Sequence, residues 1–108
     1  RGTVEGAGGS MADALQTWVV QHPGDAAAWQ LLSDTVAAQG QGVRALRAQA
    51  EAQVARMDFA ASVDRLKAAQ DLARQTAGGS SADHFEASIV DARLRQVGSL
   101  LRQQALER

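Results

Sequence analysis

The sequence predicts an all-α fold: antiparallel helical hairpins stacked as a short superhelix of about five helices, closed by a C-terminal capping helix. Three observations carry this prediction. Only 4% of the 108 residues are aromatic, and Ala and Gln abound where a sheet would want Val, Ile, Thr and aromatic side chains. One Pro and a few Gly-bearing breaks divide the chain into segments of helical length. Within those segments apolar residues recur three and four apart, which places them on one face of a helix.

Residues 1–10, RGTVEGAGGS, precede the first Met and show no apolar period. They read as a flexible linker or expression-vector remnant, with a single helical domain over 11–108. GAGGS has neither the lysine nor the preceding strand of a phosphate loop. The first helix is expected over 11–21, with Ser10 as cap and Leu15, Trp18 and Val19 on one stripe. His22-Pro23-Gly24 stops it, because Pro disfavours helical geometry for the residue before it. Asp25 then caps a helix over 26–39 whose buried stripe is Trp29, Leu32 and Val36.

Gly40-Gln41-Gly42 allows only a sharp reversal, so the next helix, 43–56, runs antiparallel. It presents Leu46, Ala50 and Val54, while Ala45 and Ala52 permit close approach. Met57-Asp58 marks the next corner, with Asp58 capping a helix over 59–75 that carries Phe59, Val63, Leu66 and Leu72. The break at Ala77-Gly78-Gly79-Ser80-Ser81 leads to the last helix, 82–107. Phe85, Ile89, Val90, Leu94, Val97 and Leu101 are expected on its inner side, with Asp91 and Arg95 as an i,i+4 ion pair.

From Ala26 onward, Trp29, Leu32, Ser33, Val36, Gly40, Ala45 and Ala52 stand in the register of a tetratricopeptide repeat. Trp29 and Leu32 are knobs, Ser33, Ala45 and Ala52 are holes, and Gly40 supplies left-handed backbone at a helix end. A second, degenerate register starts at Asp58-Phe59-Ala60-Ala61-Ser62-Val63, with Ala69 in the later small position. The helix over 43–56 then serves both units. About one and a half repeats fall short of the roughly three that a freestanding array needs, which assigns the fifth helix its capping role. Leu15, Trp18 and Val19 look like part of a preceding repeat and would form an exposed sticky end, a seam for self-association.

Several stretches together resemble the C-terminal repeat region of the periplasmic BepA-type zinc metalloproteases, the β-barrel assembly-enhancing proteases. They are Asp25-Ala-Ala-Ala-Trp29-Gln-Leu-Leu32, Arg44-Ala-Leu46-Arg47-Ala-Gln-Ala-Glu51, Asp58-Phe59 with Asp64-Arg65-Leu66-Lys67-Ala68-Ala69, and Asp83-His84-Phe85-Glu86-Ala87-Ser88-Ile89-Val90-Asp91-Ala92-Arg93. The likeness covers most of the chain from about Ala12. It implies a periplasmic parent protein with an upstream HExxH domain that acts in outer-membrane protein quality control. No HExxH and no secretory leader occur in this sequence, so no catalytic residue carries over to any position.

The chemistry is correspondingly bare. There is no Cys, and His22 and His84 stand far apart, whereas a zinc site wants two His one helical turn apart and a third ligand. No catalytic constellation, metal or cofactor is expected. Eleven bases against twelve acids exclude the basic footprint of a nucleic-acid binder. No apolar run approaches the ~20 residues of a membrane span. Arg44, Arg47, Arg56, Arg65, Lys67 and Arg74 are interleaved with Glu51, Asp58, Asp64 and Asp71, as on a solvated surface; a small-anion site near Arg44 and Arg47 is the sharper alternative.

What remains is an interaction scaffold for a protein or peptide partner. The repeat register points Ala27, Gln30, Asp34, Ala37 and Ala38 into a groove, where small side chains leave room and the two polar ones can hydrogen-bond a partner backbone. In a truncated array the same positions face solvent or a neighbouring domain. The competing class is a self-associating helical bundle, a weak homodimer seamed by Leu15, Trp18 and Val19.

Overall fold

The computed structural model describes residues 3–76 and 81–107, the side chains of 3–9 and 81–83 excepted. It contains five helices: α1 (Thr3–Gln21), α2 (Ala26–Ala38), α3 (Gly42–Ala55), α4 (Phe59–Gln75) and α5 (Ser81–Leu106). No strand occurs among the described residues. The all-α class therefore holds, and four of the five helices begin within one residue of their expected starts. The exception is α1, which starts at Thr3. Residues 3–10, read from sequence as a linker, are helical here, and Ser10 lies inside the helix rather than capping it. Extending a formed helix is far easier than nucleating one, so Thr, Val, Glu and Ala among the glycines suffice to propagate it. Of the Gly/Ser break before α5, residues 77–80 lie outside the described residues.

Each reversal has its own local device. Asp25 caps α2 by accepting the Ala28 amide on Oδ1 at 3.0 Å, and Asp58 caps α4 by accepting that of Ala61 at 3.1 Å. Gly40 ends α2 in left-handed backbone, as expected, with φ of 80°. Met57 does the same after α3 at φ 64°, a conformation that the sequence does not announce.

Packing follows chain order: α1 on α2, α2 on α3, α3 on α4 and α4 on α5, with α3 also touching α5. Helix α3 is the shared element that the overlapping repeat registers predict. Its Ala45, Ala48 and Ala52 join Ala12 and Val19 of α1 and Trp29, Leu32 and Val36 of α2 in one core. Its Val43 and Ala50 join Phe59, Leu66 and Ala69 of α4 and Val90 and Val97 of α5 in a second. Two cores on opposite sides of one helix require small residues on it. At its first turn, a Cβ on Gly42 would stand 2.7 Å from Leu72 Cδ2, so the Leu72 side chain of α4 packs there against bare backbone.

Trp29 is wedged inside, 8% exposed, and its indole N–H donates to the Pro23 carbonyl at 3.0 Å. Leu32 is buried against it; such a side chain contributes about 2 kcal/mol by leaving water. Ser33 fills a small position and donates to the Ala45 carbonyl at 2.8 Å, which ties α2 to α3.

Two details of α5 depart from expectation. Phe85 is 67% exposed, because it lies five residues before buried Val90 and therefore about 140° around the helix. Asp91 accepts the Gln70 side-chain amide from α4 at 2.9 Å, and no ion pair joins it to Arg95. The whole molecule measures 55 × 31 × 17 Å. Helix α1 packs on α2 alone, and α2 on α1 and α3 alone, so these outer helices keep open faces.

Candidate functional site

The open face of α2 is the surface that the repeat register singles out. Ala27, Gln30, Asp34, Ala37 and Ala38 fall within about 100° of arc on a 3.6-residue helix, opposite the stripe of Trp29, Leu32 and Val36. Ala27, Asp34, Ala37 and Ala38 are exposed and Gln30 is half-buried. The structure thus brings all five onto one surface. The two polar residues also meet each other: Gln30 Nε2 donates to Asp34 Oδ1 at 3.2 Å. That bond presets the amide and leaves the second carboxylate oxygen of Asp34 without a partner among the described residues.

Periodicity alone misses the apolar part of this face. Leu31, 48% exposed, flanks it about 20° beyond Ala38. Thr35, one turn on, donates to the Leu31 carbonyl at 2.8 Å and sits 3.6 Å from Met11 Sδ on α1. Met11, itself exposed, therefore continues the surface across the α1–α2 seam. The available signal was Leu31 itself, a large apolar residue adjacent in sequence to the buried stripe and off its period.

The expected self-association seam does not stand as one surface. Val19 is fully buried in the core shared with Trp29, Leu32 and Val36 of α2, Leu15 is half-buried against the same core, and only Trp18 faces out, 45% exposed. Adjacent helical residues point about 100° apart, so Trp18 and Val19 cannot both look the same way. Trp18 is instead built into the elbow. Its Nε1 donates to Asp25 Oδ2 at 2.8 Å, and its ring stacks on His22 with centroids 3.8 Å apart. One carboxylate thus clasps the end of α1 and caps α2. The Trp18 indole hydrogen bond, followed by the Ala28 amide, holds the Asp25 carboxyl below its ordinary pKa.

The alternative anion site dissolves for a similar reason. Arg44 donates to Gln41 at 3.2 Å and to Gln16 at 3.1 Å. Arg47 is bound in bidentate fashion to Glu86, Nε to Oε1 at 2.8 Å, in a mostly buried pair. Three residues along α5 from Val90, Arg93 grips Glu51 through Nε and Nη2 at 2.6 and 2.9 Å. That contact raises the Arg93 pKa above its ordinary value. His22 lies in the α1–α2 turn. His84 lines an open cleft of about 270 Å³ between α4 and α5, with Gln70, Ala73, Arg74, Ala87 and Asp91. Among the described residues no group of three His, Asp or Glu side chains is placed to hold a metal, and no helix is long and apolar enough to cross a membrane.

The chain matches no family model, no curated protein and no solved structure.

Proposed function

We propose that this chain is a non-catalytic protein–protein interaction scaffold that receives a protein or peptide partner on the open face of α2. One observation carries the proposal. Ala27, Gln30, Leu31, Asp34 and Ala38 form an exposed surface of small, apolar and hydrogen-bonding groups on a helix whose opposite side is anchored in a core by Trp29, Leu32 and Val36. A rigid helix pays little ordering entropy on binding, and exposed Leu31 and Met11 offer apolar area to a partner. The resemblance set out above extends the proposal to the parent protein, a periplasmic zinc metallopeptidase of outer-membrane quality control in which this region would present or gate substrates.

The test is a peptide library panned against the protein, with bound peptides located by backbone amide shifts. Selected peptides should move the amides of α2 and lose at least tenfold in affinity with Leu31→Glu, whose helical circular dichroism should match wild type. Peptides that map elsewhere, or that ignore Leu31→Glu, overturn the proposal. Light scattering on Trp18→Glu tests the competing homodimer: a wild-type dimer that becomes monomeric in this variant would favour self-association instead.

A further inference from the structure

We propose that the occupant of the α1–α2 face is a basic amphipathic segment, a stretch of partner chain that combines Lys or Arg with apolar side chains. This deepens the scaffold proposal and rests on it. The argument comes from charge placement that the near-neutral total conceals. Between Met11 and Val43 the sequence holds Asp13, Asp25 and Asp34 and no Lys or Arg at all. From Arg44 onward it holds ten bases against eight acids. The hairpin that exposes the apolar surface therefore holds three acids and no base of its own.

One of those acids belongs to the surface itself. Asp34 lies on it beside Leu31, with one oxygen engaged by Gln30 and the other open. Asp25, nine residues earlier, stands half a turn around α2 from Asp34 with its two oxygens taken by Trp18 and Ala28, so it adds charge to the hairpin without facing the occupant. Its depressed pKa keeps it negative throughout the physiological range. In an extended segment, side chains two residues apart share a face. A cation on such a segment would reach the open oxygen of Asp34 while apolar side chains on the same face of the segment covered Leu31. No Lys or Arg within the hairpin competes for Asp34, and Arg44, which reaches α1 from α3, is held by Gln16 and Gln41. Acidic segments and anionic membranes meet like charge on this face.

A second copy of the chain is the rival occupant, since its C-terminal half carries a surplus of bases. Outside its three ion pairs, Arg56, Arg65 and Lys67 of that half are interspersed with Asp58 and Asp64, so a separate basic segment fits better.

The experiment uses three synthetic twelve-residue peptides of equal apolar content, built on a four-residue repeat that carries Lys, Gln or Glu at its first position and Leu at its third, so that both share one face of an extended chain. Binding is read by amide shifts and titration. The Lys peptide should move the amides of α2 and bind at least tenfold more tightly than the Gln peptide. It should lose at least tenfold with Asp34→Lys, and weaken when salt is raised from 50 to 500 mM. Equal or tighter binding of the Gln or Glu peptide on α2 overturns the charge assignment and leaves the scaffold proposal standing. Failure of every peptide, including those from the library, to move α2 overturns both. Concentration-dependent dimers that Asp34→Lys abolishes would assign the face to a second copy and overturn the proposal.

Discussion

Gly40 and Met57 hold the same place at the ends of successive helices, and both take left-handed backbone, with φ of 80° and 64°. The hydrogen bonds match as well. The Gly40 amide donates to Ala37 and the Gln41 amide to Val36; the Met57 amide donates to Val54 and the Asp58 amide to Gln53, all within 2.9–3.0 Å. This is the Schellman closure, which satisfies two otherwise orphaned carbonyls. Gly adopts it freely, whereas a side chain costs roughly 1–2 kcal/mol there. Met57→Gly should therefore stabilise the fold by about 1 kcal/mol after the added freedom of the unfolded chain is deducted, raising Tm by about 4 °C. Gly40→Ala should destabilise it by about 1 kcal/mol. Thermal unfolding of both variants checks the pair, and a Met57→Gly protein less stable than wild type would refute the assignment.

The clasp of Trp18 and Asp25 has a pH signature of definite sign. Because folding depresses the Asp25 pKa, its contribution to stability is fully present above the unfolded value near 3.9 and is lost as pH falls through the lower folded value. The Tm difference between wild type and Asp25→Ala should be constant down to about pH 5 and shrink below about pH 4. The carboxyl carbon resonance of Asp25 gives the midpoint directly. Trp18→Phe removes the largest cause of the depression and should move that midpoint up; an unchanged midpoint would break the link.

How far these features were legible in the sequence depends on their range. Trp29, Leu32, Val36 and Gly40 were readable because a 3.6-residue period and a turn glycine are local properties. Val19 and Trp18 were not separable, since neighbouring large apolar residues suit a stripe equally well until the partner helix chooses a side. Phe85 failed for the same reason, at the start of a helix whose contact face is set by Val90 and Val97. Left-handed Met57 left no trace because its residue type does not announce the geometry. Of the candidate surface, Ala27, Gln30, Asp34, Ala37 and Ala38 followed from register alone, whereas Met11 joins them only through Thr35, 24 residues away in sequence.

Ser33 and Ser62 are both buried but differ in what their hydroxyls find. Ser33 Oγ donates across the helix interface to Ala45, while Ser62 Oγ has no partner among the described residues. A lost buried hydrogen bond costs about 1 kcal/mol, and a buried hydroxyl without one is itself unfavourable. Ser33→Ala should thus destabilise by about 1 kcal/mol, and Ser62→Ala should be neutral or stabilising by up to about 1 kcal/mol. Denaturant midpoints of the two alanine variants provide the comparison, and the opposite ordering would contradict it.

The last prediction concerns register between α3 and α5. Helix α3 offers Arg47 and then Glu51, and α5 answers with Glu86 and then Arg93. Both pairs advance in the same direction along the chain, so the two helices run parallel, with the sign of charge reversed between them. Sliding α5 by the seven residues that separate Glu86 from Arg93 would set Arg47 against Arg93, or Glu51 against Glu86. The right alignment is therefore held by attraction and the wrong ones are opposed by repulsion, a task that apolar side chains alone perform poorly. Glu51 is mostly buried and Arg93 is 28% exposed in its side chain, which makes their coupling larger than that of a surface pair but short of a fully buried one. Glu51→Arg should cost about 2–3 kcal/mol, because it leaves two like charges facing each other. Adding Arg93→Glu should restore at least half of that loss. A double-mutant cycle in urea measures the interaction, expected at about 1–2 kcal/mol; a value below about 0.5 kcal/mol would leave the placement of α5 to its Val90, Leu94 and Val97 contacts alone.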